Sequence, residues 1–131
     1  MSKLEALLNP RSIAILGAST HFGKVNGRTL KFLLAKGYRG KIYPVNPKYP
    51  RIGELACYPD VASLPEAPDL AVVAVPARAV APGLRELAAR GGRAAVVFSS
   101  GFGELGEAGR ALEQEVAAAA RASGLRLLGP N

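Results

Sequence analysis

The sequence predicts an α/β fold, a Rossmann-like doubly wound parallel sheet of five or six strands with helices on both faces. Short apolar runs without polar alternation are typical of strands that are buried on both faces, as in parallel sheets. Four such runs occupy residues 12–17, 70–75, 94–98 and 125–129, and a weaker one occupies 41–45. Strands that alternate with helices at short intervals form right-handed βαβ units.

Three helical patterns predict the elements that cover this sheet. The first spans about residues 26–36. The second follows Pro82, which is interpreted as a first-turn proline, and it stops at Gly91 and Gly92. The third spans about residues 106–122.

Length and composition indicate a single domain. A chain of 131 residues with 49% hydrophobic content is sufficient for one core.

Residues 46–68 contain five prolines and no long periodic pattern. They predict a loop with a short strand near residues 56–58 and a helical turn near 60–64.

The composition also excludes several classes of protein. No apolar run is long enough to span a bilayer, and residues 1–10 lack the apolar core and cleavage site of a signal peptide. We therefore expect a cytoplasmic protein with no membrane association. The single cysteine, Cys57, cannot form an internal disulfide, and the single histidine, His21, has no Cys/His cluster around it. We expect no metal site.

The net charge of +7 is unevenly distributed. Residues 1–51 hold ten lysines and arginines against one glutamate, whereas residues 52–131 hold seven basic and nine acidic side chains. This excess suits an anionic partner near the first half of the chain, although a solvated basic face explains the charge alone equally well. Without a recognised motif or a basic tract interleaved with aromatic residues, we expect no nucleic-acid binding.

The loop after the first predicted strand is suited to a phosphorylated ligand. Gly17 and Gly23 allow the backbone to approach a diphosphate, and Lys24 adds a cation. The loop is not a P-loop, because five residues separate the glycines and Val25 follows the lysine. It is not a G-x-G-x-x-G fingerprint either, because Ser19 stands at the second glycine position.

The end of the second predicted strand restricts the nucleotide. An NAD site has an acidic residue there, which accepts a hydrogen bond from the ribose 2′-OH. This chain has Asn46, Lys48 and Arg51 instead. Basic residues at that point suit an additional ribose phosphate, which both NADP and coenzyme A carry, and the residues alone leave the choice open.

The loop after the 94–98 strand offers small polar groups but no catalytic constellation. Ser99, Ser100 and Gly101 provide hydrogen-bond donors and room for a slender chain, or they cap the following helix. The only histidine, His21, lies on a different loop with no acid placed to orient it, so a serine nucleophile has no base. In a doubly wound sheet these loops would border a crevice between residues 17–24 and 76–80.

The ordered set of segments resembles the N-terminal CoA-binding domain of the NDP-forming acyl-CoA synthetases, such as ADP-forming acetate–CoA ligases and, more distantly, the succinyl-CoA synthetase α subunit. The resemblance covers essentially the whole chain and favours coenzyme A over NADP. The segments that carry it are "NPRSIAILGAST", "GKIYPVNPKY", "ACYPDVASLPEAPDLAVVAVPA", "VVFSSGFGE" and "LRLLGPN".

The resemblance also implies which residues surround the ligand. Those near the CoA diphosphate would be Gly17, Ala18, Ser19, Thr20, Gly23 and Lys24. Those beside the 3′-phosphate would be Asn46, Pro47 and Lys48. Val75 and Pro76 would border the adenine or the pantetheine, and Ser99, Ser100 and Gly101 would approach the thiol. The family pattern has glycine at position 26, where this chain has Asn26.

Members of this family also carry a phosphorylatable histidine on a second domain and an ATP-grasp domain or subunit, and neither is present in this chain. We therefore expect residues 1–131 to form a single CoA-binding domain without catalytic residues of its own. Its expected ligand is coenzyme A or acyl-CoA, and its expected partners are other ligase domains or an ATP-grasp subunit. The alternatives are an NADP-binding domain of an oxidoreductase or redox-sensing regulator, and an interaction domain that only docks a partner subunit.

Overall fold

A five-stranded parallel sheet forms the centre of the protein. The computed structural model describes residues 2–19, 31, 33, 35–98 and 106–129. Its strands are β1 (Ser12–Leu16), β2 (Lys41–Val45), β3 (Arg51–Ile52), β4 (Leu55–Ala56), β5 (Leu70–Val73), β6 (Ala94–Val97) and β7 (Arg126–Leu128). The sheet has the order β2-β1-β5-β6-β7, and every neighbouring pair is parallel. The predicted fold class is confirmed.

The two central strands are buried on both faces. Every residue of β1 and of β5 is buried, as expected for the middle of a parallel sheet covered on both sides. Successive side chains point to opposite faces. Ala14 and Leu16 therefore pack into one core cluster, whereas Ile13 and Ile15 pack into the other.

Helices cover both faces of this sheet. They are α1 (Lys3–Leu8), α2 (Ala77–Ala89) and α3 (Glu107–Ser123). Helices α2 and α3 pack on one face and on each other, and α1 packs on the other face against β6 and β7. Helix α1 was not predicted, although its signal is present in the sequence: the side chain of Ser2 accepts a hydrogen bond from the backbone N–H of Glu5, the spacing of a capping box.

The prediction that Pro82 opens the second helix is wrong. Helix α2 begins at Ala77 and contains Pro82 in its interior. A proline there deprives the carbonyl of Arg78 of its helical hydrogen bond. The turn before Pro82 is nevertheless helical because Val80 and Ala81 are buried against the sheet.

The predicted helix ends agree with the structure. Gly91 adopts a φ of +96° after α2, and the N–H of Gly92 donates to the carbonyl of Leu87 at 2.8 Å, which forms a Schellman motif. Gly124 ends α3 with a φ of +73°. Of the helix predicted over 26–36, the described positions 31, 33 and 35 are helical, and Asn26 lies outside the described residues.

The proline-rich segment has the predicted helical turn, but it contains a two-stranded hairpin instead of the single short strand predicted near residues 56–58. Strands β3 and β4 form a short antiparallel hairpin, and residues Val61–Ser63 form one turn of 3₁₀-helix. Tyr58 then pairs beside Val45, which attaches the segment to the edge of the sheet at β2. Within the described ranges, none of the helices combines the length and apolar character that crossing a membrane requires.

A polar contact fixes the far end of this segment to β2. The hydroxyl of Tyr43 donates a short hydrogen bond to the carboxylate of Glu66, and the ammonium of Lys41 lies 3.5 Å from the same carboxylate. The hydrogen bond from Tyr43 is the main cause that lowers the pKa of Glu66. Burial, followed by the same bond, raises the pKa of Tyr43.

We expect the Tyr43→Phe variant to be less stable than the wild type at neutral pH and to lose most of that deficit in acid. Because the folded-state pKa of Glu66 lies below its unfolded value of about 4.3, the bond stabilises the fold above that pH. The contribution is lost as the pH falls through the folded-state pKa. Urea unfolding over a pH series measures the difference.

Tyr58→Phe is the matched control, because its ring packs edge-to-face on Tyr43 at 5.9 Å and the substitution leaves the bond to Glu66 intact. Its stability difference from the wild type should not depend on pH in the acidic range. A deficit of Tyr43→Phe that is equally large at neutral and acidic pH would contradict the assignment.

Candidate functional site

A cleft of about 580 Å³ opens at the carboxyl ends of β1, β2 and β5. The strand order reverses between β1 and β5, and ligands of open parallel sheets bind at such a point. The cleft therefore lies where the sequence predicts a crevice, and its volume is in the range of small-molecule sites. The predicted site residues that line it are Gly17, Asn46, Pro47, Lys48, Val75 and Pro76.

Gly17 allows three strand ends to converge at the base of the cleft. Its N–H donates to the carbonyl of Val45 at 2.9 Å, which joins it to the end of β2. Its φ is +85°, and a Cβ atom at this position would lie 2.5 Å from the carbonyl oxygen of Ala74, which follows β5. Only glycine satisfies both conditions.

Asn46 connects the loop that follows β1 to the loop that follows β2. Its side-chain N–H₂ donates to the carbonyl of Ala18 at 2.9 Å, and its side-chain oxygen accepts from the backbone N–H of Lys48 at 2.9 Å. Both ends of the amide are thus used within the protein. Asn46 lines the cleft mainly as a positioning residue, whereas the side chain of Lys48 is exposed and available to an anion.

Cys57 contacts the loop that contains Asn46. The thiol is buried, and it donates to the carbonyl of Asn46 at 3.6 Å. Burial raises the pKa of the thiol, with a smaller opposing effect of backbone hydrogen bonds. A buried thiol with a raised pKa is a packing group rather than a nucleophile.

One face of α2 forms a wall of the cleft, and the sequence predicted only the part of it within residues 76–80. Ala79, Pro82, Gly83 and Glu86 line it. Their spacing is that of one helical face, adjacent to the apolar face that packs on the sheet. Ala79 lies within the segment that was expected to border the crevice, whereas Pro82, Gly83 and Glu86 were missed because the helix after Pro82 was predicted only to cover the sheet.

The proline-rich segment also contributes to the lining of the cleft. Pro59, Asp60 and Val61 contribute to it, and sequence reasoning assigned them only to a loop and a helical turn. One side-chain oxygen of Asp60 accepts hydrogen bonds from the backbone N–H of Ser63 at 2.9 Å and from its hydroxyl at 2.6 Å. These bonds cap the 3₁₀ turn and fix the orientation of the carboxylate.

Other predicted site residues lie beside the cleft or outside the described ranges. Ala18 and Ser19 are 0% and 4% exposed, and the cleft lining does not include them. The carbonyl of Ala18 accepts the bond from Asn46. The remaining predicted positions belong to parts of the chain that the structure does not describe; they are Thr20, Gly23, Lys24, Ser99, Ser100 and Gly101.

Comparison with known proteins identifies the family. A family model described as a CoA binding domain matches residues 11–131. The chain belongs to this CoA-binding domain family. The resemblance derived from the sequence motifs is therefore confirmed, and coenzyme A rather than NADP is the ligand for which the family is named.

Relatives of this CoA-binding domain are larger ligases. The ADP-forming acetate–CoA ligase I subunit alpha of Pyrococcus furiosus is 45% identical, with 98% of this chain aligned to 29% of that protein. The ADP-forming acetate–CoA ligase II of Archaeoglobus fulgidus is 43% identical over 98% of this chain and 19% of its own length. The chain spans less than a third of either relative.

A solved structure supports the same assignment. The dinucleotide forming acetyl-coenzyme A synthetase 1 of Ca. Korarchaeum cryptofilum, in complex with phosphate and ADP, matches with a TM-score of 0.90 and 40% identity. The match covers 100% of this chain and 28% of that one. The chain is thus homologous to the CoA-binding domain region of ADP-forming acetate–CoA ligases.

Proposed function

We propose that this domain binds coenzyme A in the cleft and holds it for an ADP-forming acyl-CoA synthetase, together with other ligase domains or an ATP-grasp subunit. The observation that carries the proposal is the placement of Gly17 and Lys48 at one strand-reversal cleft in a chain of this family. A close backbone approach suits a diphosphate, and an exposed ammonium suits a separate phosphate.

The residues that line the cleft, and the loop residues expected to border it, suit such a ligand. The end of β1 and the following loop, with Thr20, Gly23 and Lys24, would receive the diphosphate. Lys48 would pair with the 3′-phosphate of the ribose, and Val75 and Pro76 would contact the base or the pantetheine. Ser99, Ser100 and Gly101 would lie toward the thiol end.

Within the complete ligase, bound coenzyme A supplies the thiol that takes up the acyl group from an acyl phosphate, with release of phosphate. The domain contributes by positioning this ligand, and we expect it to bind without turnover when it is separate from the other ligase parts. Binding of micromolar strength would correspond to about 8 kcal/mol.

Calorimetric titration with CoA, 3′-dephospho-CoA and NADP at one fixed ionic strength tests the proposal. We expect CoA to bind more tightly than 3′-dephospho-CoA, because the second ligand lacks the phosphate that pairs with Lys48. Tight NADP binding without a response to CoA would overturn the proposal.

We expect Lys48→Ala to weaken CoA binding about tenfold and to leave the affinity for 3′-dephospho-CoA nearly unchanged. Lys41→Ala is the matched control, because it removes the same charge at the opposite end of β2, away from the cleft. If both variants weaken CoA binding equally, the effect is one of overall charge and the assignment of Lys48 is wrong.

A further inference from the structure

The cleft carries two carboxylates that the family assignment does not explain. Asp60 and Glu86 both line the cleft that Lys48 lines. Carboxylates repel phosphates, and in their ionised form they can only accept hydrogen bonds. In a site for a polyanionic nucleotide they must therefore lie beside parts of the ligand that donate hydrogen bonds, away from its phosphates.

Asp60 is the better positioned of the two acceptors. Its first side-chain oxygen is held by the N–H and the hydroxyl of Ser63 at 2.9 and 2.6 Å. This arrangement leaves the second oxygen for a ligand, with little conformational entropy to lose on binding. Glu86 is an exposed residue on α2, and no side-chain hydrogen bond holds it within the described part of the chain.

The surroundings of Asp60 are suited to a planar base. Pro47, Pro59 and Val61 line the cleft together with Asp60, and Val61 is 1% exposed. Pro82 and Gly83 of α2 also line it. Apolar walls with one fixed polar group at the edge are the usual arrangement for selecting a ligand by its hydrogen-bonding edge.

We propose that the second carboxylate oxygen of Asp60 accepts a hydrogen bond from the exocyclic amine of the adenine base, so that the cleft selects a 6-amino purine over a 6-oxo purine. The inference rests on the proposed function, because it assumes that the nucleotide half of coenzyme A occupies this cleft. A 6-oxo purine presents an acceptor at that position, which a carboxylate rejects.

The experiment compares CoA with its hypoxanthine analogue, in which an oxo group replaces the adenine amine. We expect the wild type to bind CoA about tenfold more tightly, since in the analogue the carboxylate meets an acceptor where the exocyclic amine of adenine donates. In Asp60→Asn the side-chain oxygen can still cap the 3₁₀ turn, and the new N–H₂ group can donate to the oxo group. The preference should disappear or reverse.

Glu86→Gln is the matched control. It removes one negative charge from the same cleft, so it should change both affinities by the same factor and leave their ratio as in the wild type. Thermal unfolding of Asp60→Asn verifies that the variant is folded.

The outcomes separate this inference from the proposed function. If the wild type binds neither ligand, both are wrong. If the wild type binds CoA but does not distinguish it from the hypoxanthine analogue, or if folded Asp60→Asn keeps the wild-type ratio, the proposed function stands and the role of Asp60 is wrong. A ratio that changes equally in Glu86→Gln also contradicts the assignment to Asp60.

Discussion

Replacing Gly17 with alanine is expected to lower the free energy of unfolding by about 3 kcal/mol and to weaken CoA binding more than tenfold. The backbone φ of +85° is strained for any residue with a Cβ atom, and that atom would lie 2.5 Å from the carbonyl oxygen of Ala74. Relief of the clash requires the ends of β1 and β5 to separate. Because the cleft lies between these ends, the ligand site changes together with the stability.

Gly53→Ala is a control for the cost of a positive φ alone, without the steric clash. Gly53 has a φ of +61°, and no atom lies within 4 Å of the position where its Cβ would stand. We expect that variant to lose roughly 1 kcal/mol and to keep the CoA affinity of the wild type. Urea unfolding and calorimetry measure both quantities. Equal destabilisation of the two variants would show that the close approach to Ala74 is unimportant.

The second large effect is expected from Asn46→Asp, with a loss of about 2 kcal/mol in the free energy of unfolding and a marked loss of CoA affinity. Aspartate can still accept the bond from the N–H of Lys48. Its other oxygen, however, would face the carbonyl of Ala18, where the amide of Asn46 now donates at 2.9 Å. The added negative charge also lies beside the proposed phosphate-binding lysine.

Asn46→Ala provides the comparison, because it removes both hydrogen bonds without placing two acceptors against each other. We expect it to lose about 1 kcal/mol, less than Asn46→Asp. Urea unfolding of both variants measures which of the two is less stable. If Asn46→Asp is as stable as the wild type, the bond to Ala18 does not hold the two loops together.

The fold could be predicted from the sequence because its signals are local. Runs such as residues 12–17 and 70–75 lack polar residues, and the structure buries every side chain of β1 and β5. Gly91 and Gly124 ended their helices as predicted, because a positive φ at a helix end strongly favours glycine. Ser2 and Glu5 carry an equally local signal for α1, although this helix was not predicted.

The site could be predicted only where a residue follows a strand directly or closely. Gly17 and Asn46 follow directly, Val75 and Lys48 follow two and three residues after their strands, and the topology brings all four to one cleft. Asp60 and the α2 residues Pro82, Gly83 and Glu86 could not be found in this way. Asp60 reaches the cleft because the proline-rich segment packs beside it, and the α2 residues reach it because the helix begins before Pro82. Both arrangements depend on contacts with distant parts of the chain.

Two faces of helix α2 have different roles. Val80, Leu84 and Leu87 are fully buried against the sheet, whereas Ala79, Pro82 and Glu86 are exposed and border the cleft. Substitutions on the second face alter what the cleft contacts without removing any buried side chain from the core. Ligand preference in this domain can therefore evolve by steps that leave its stability almost unchanged, since exposed positions away from caps and strained backbone tolerate replacement.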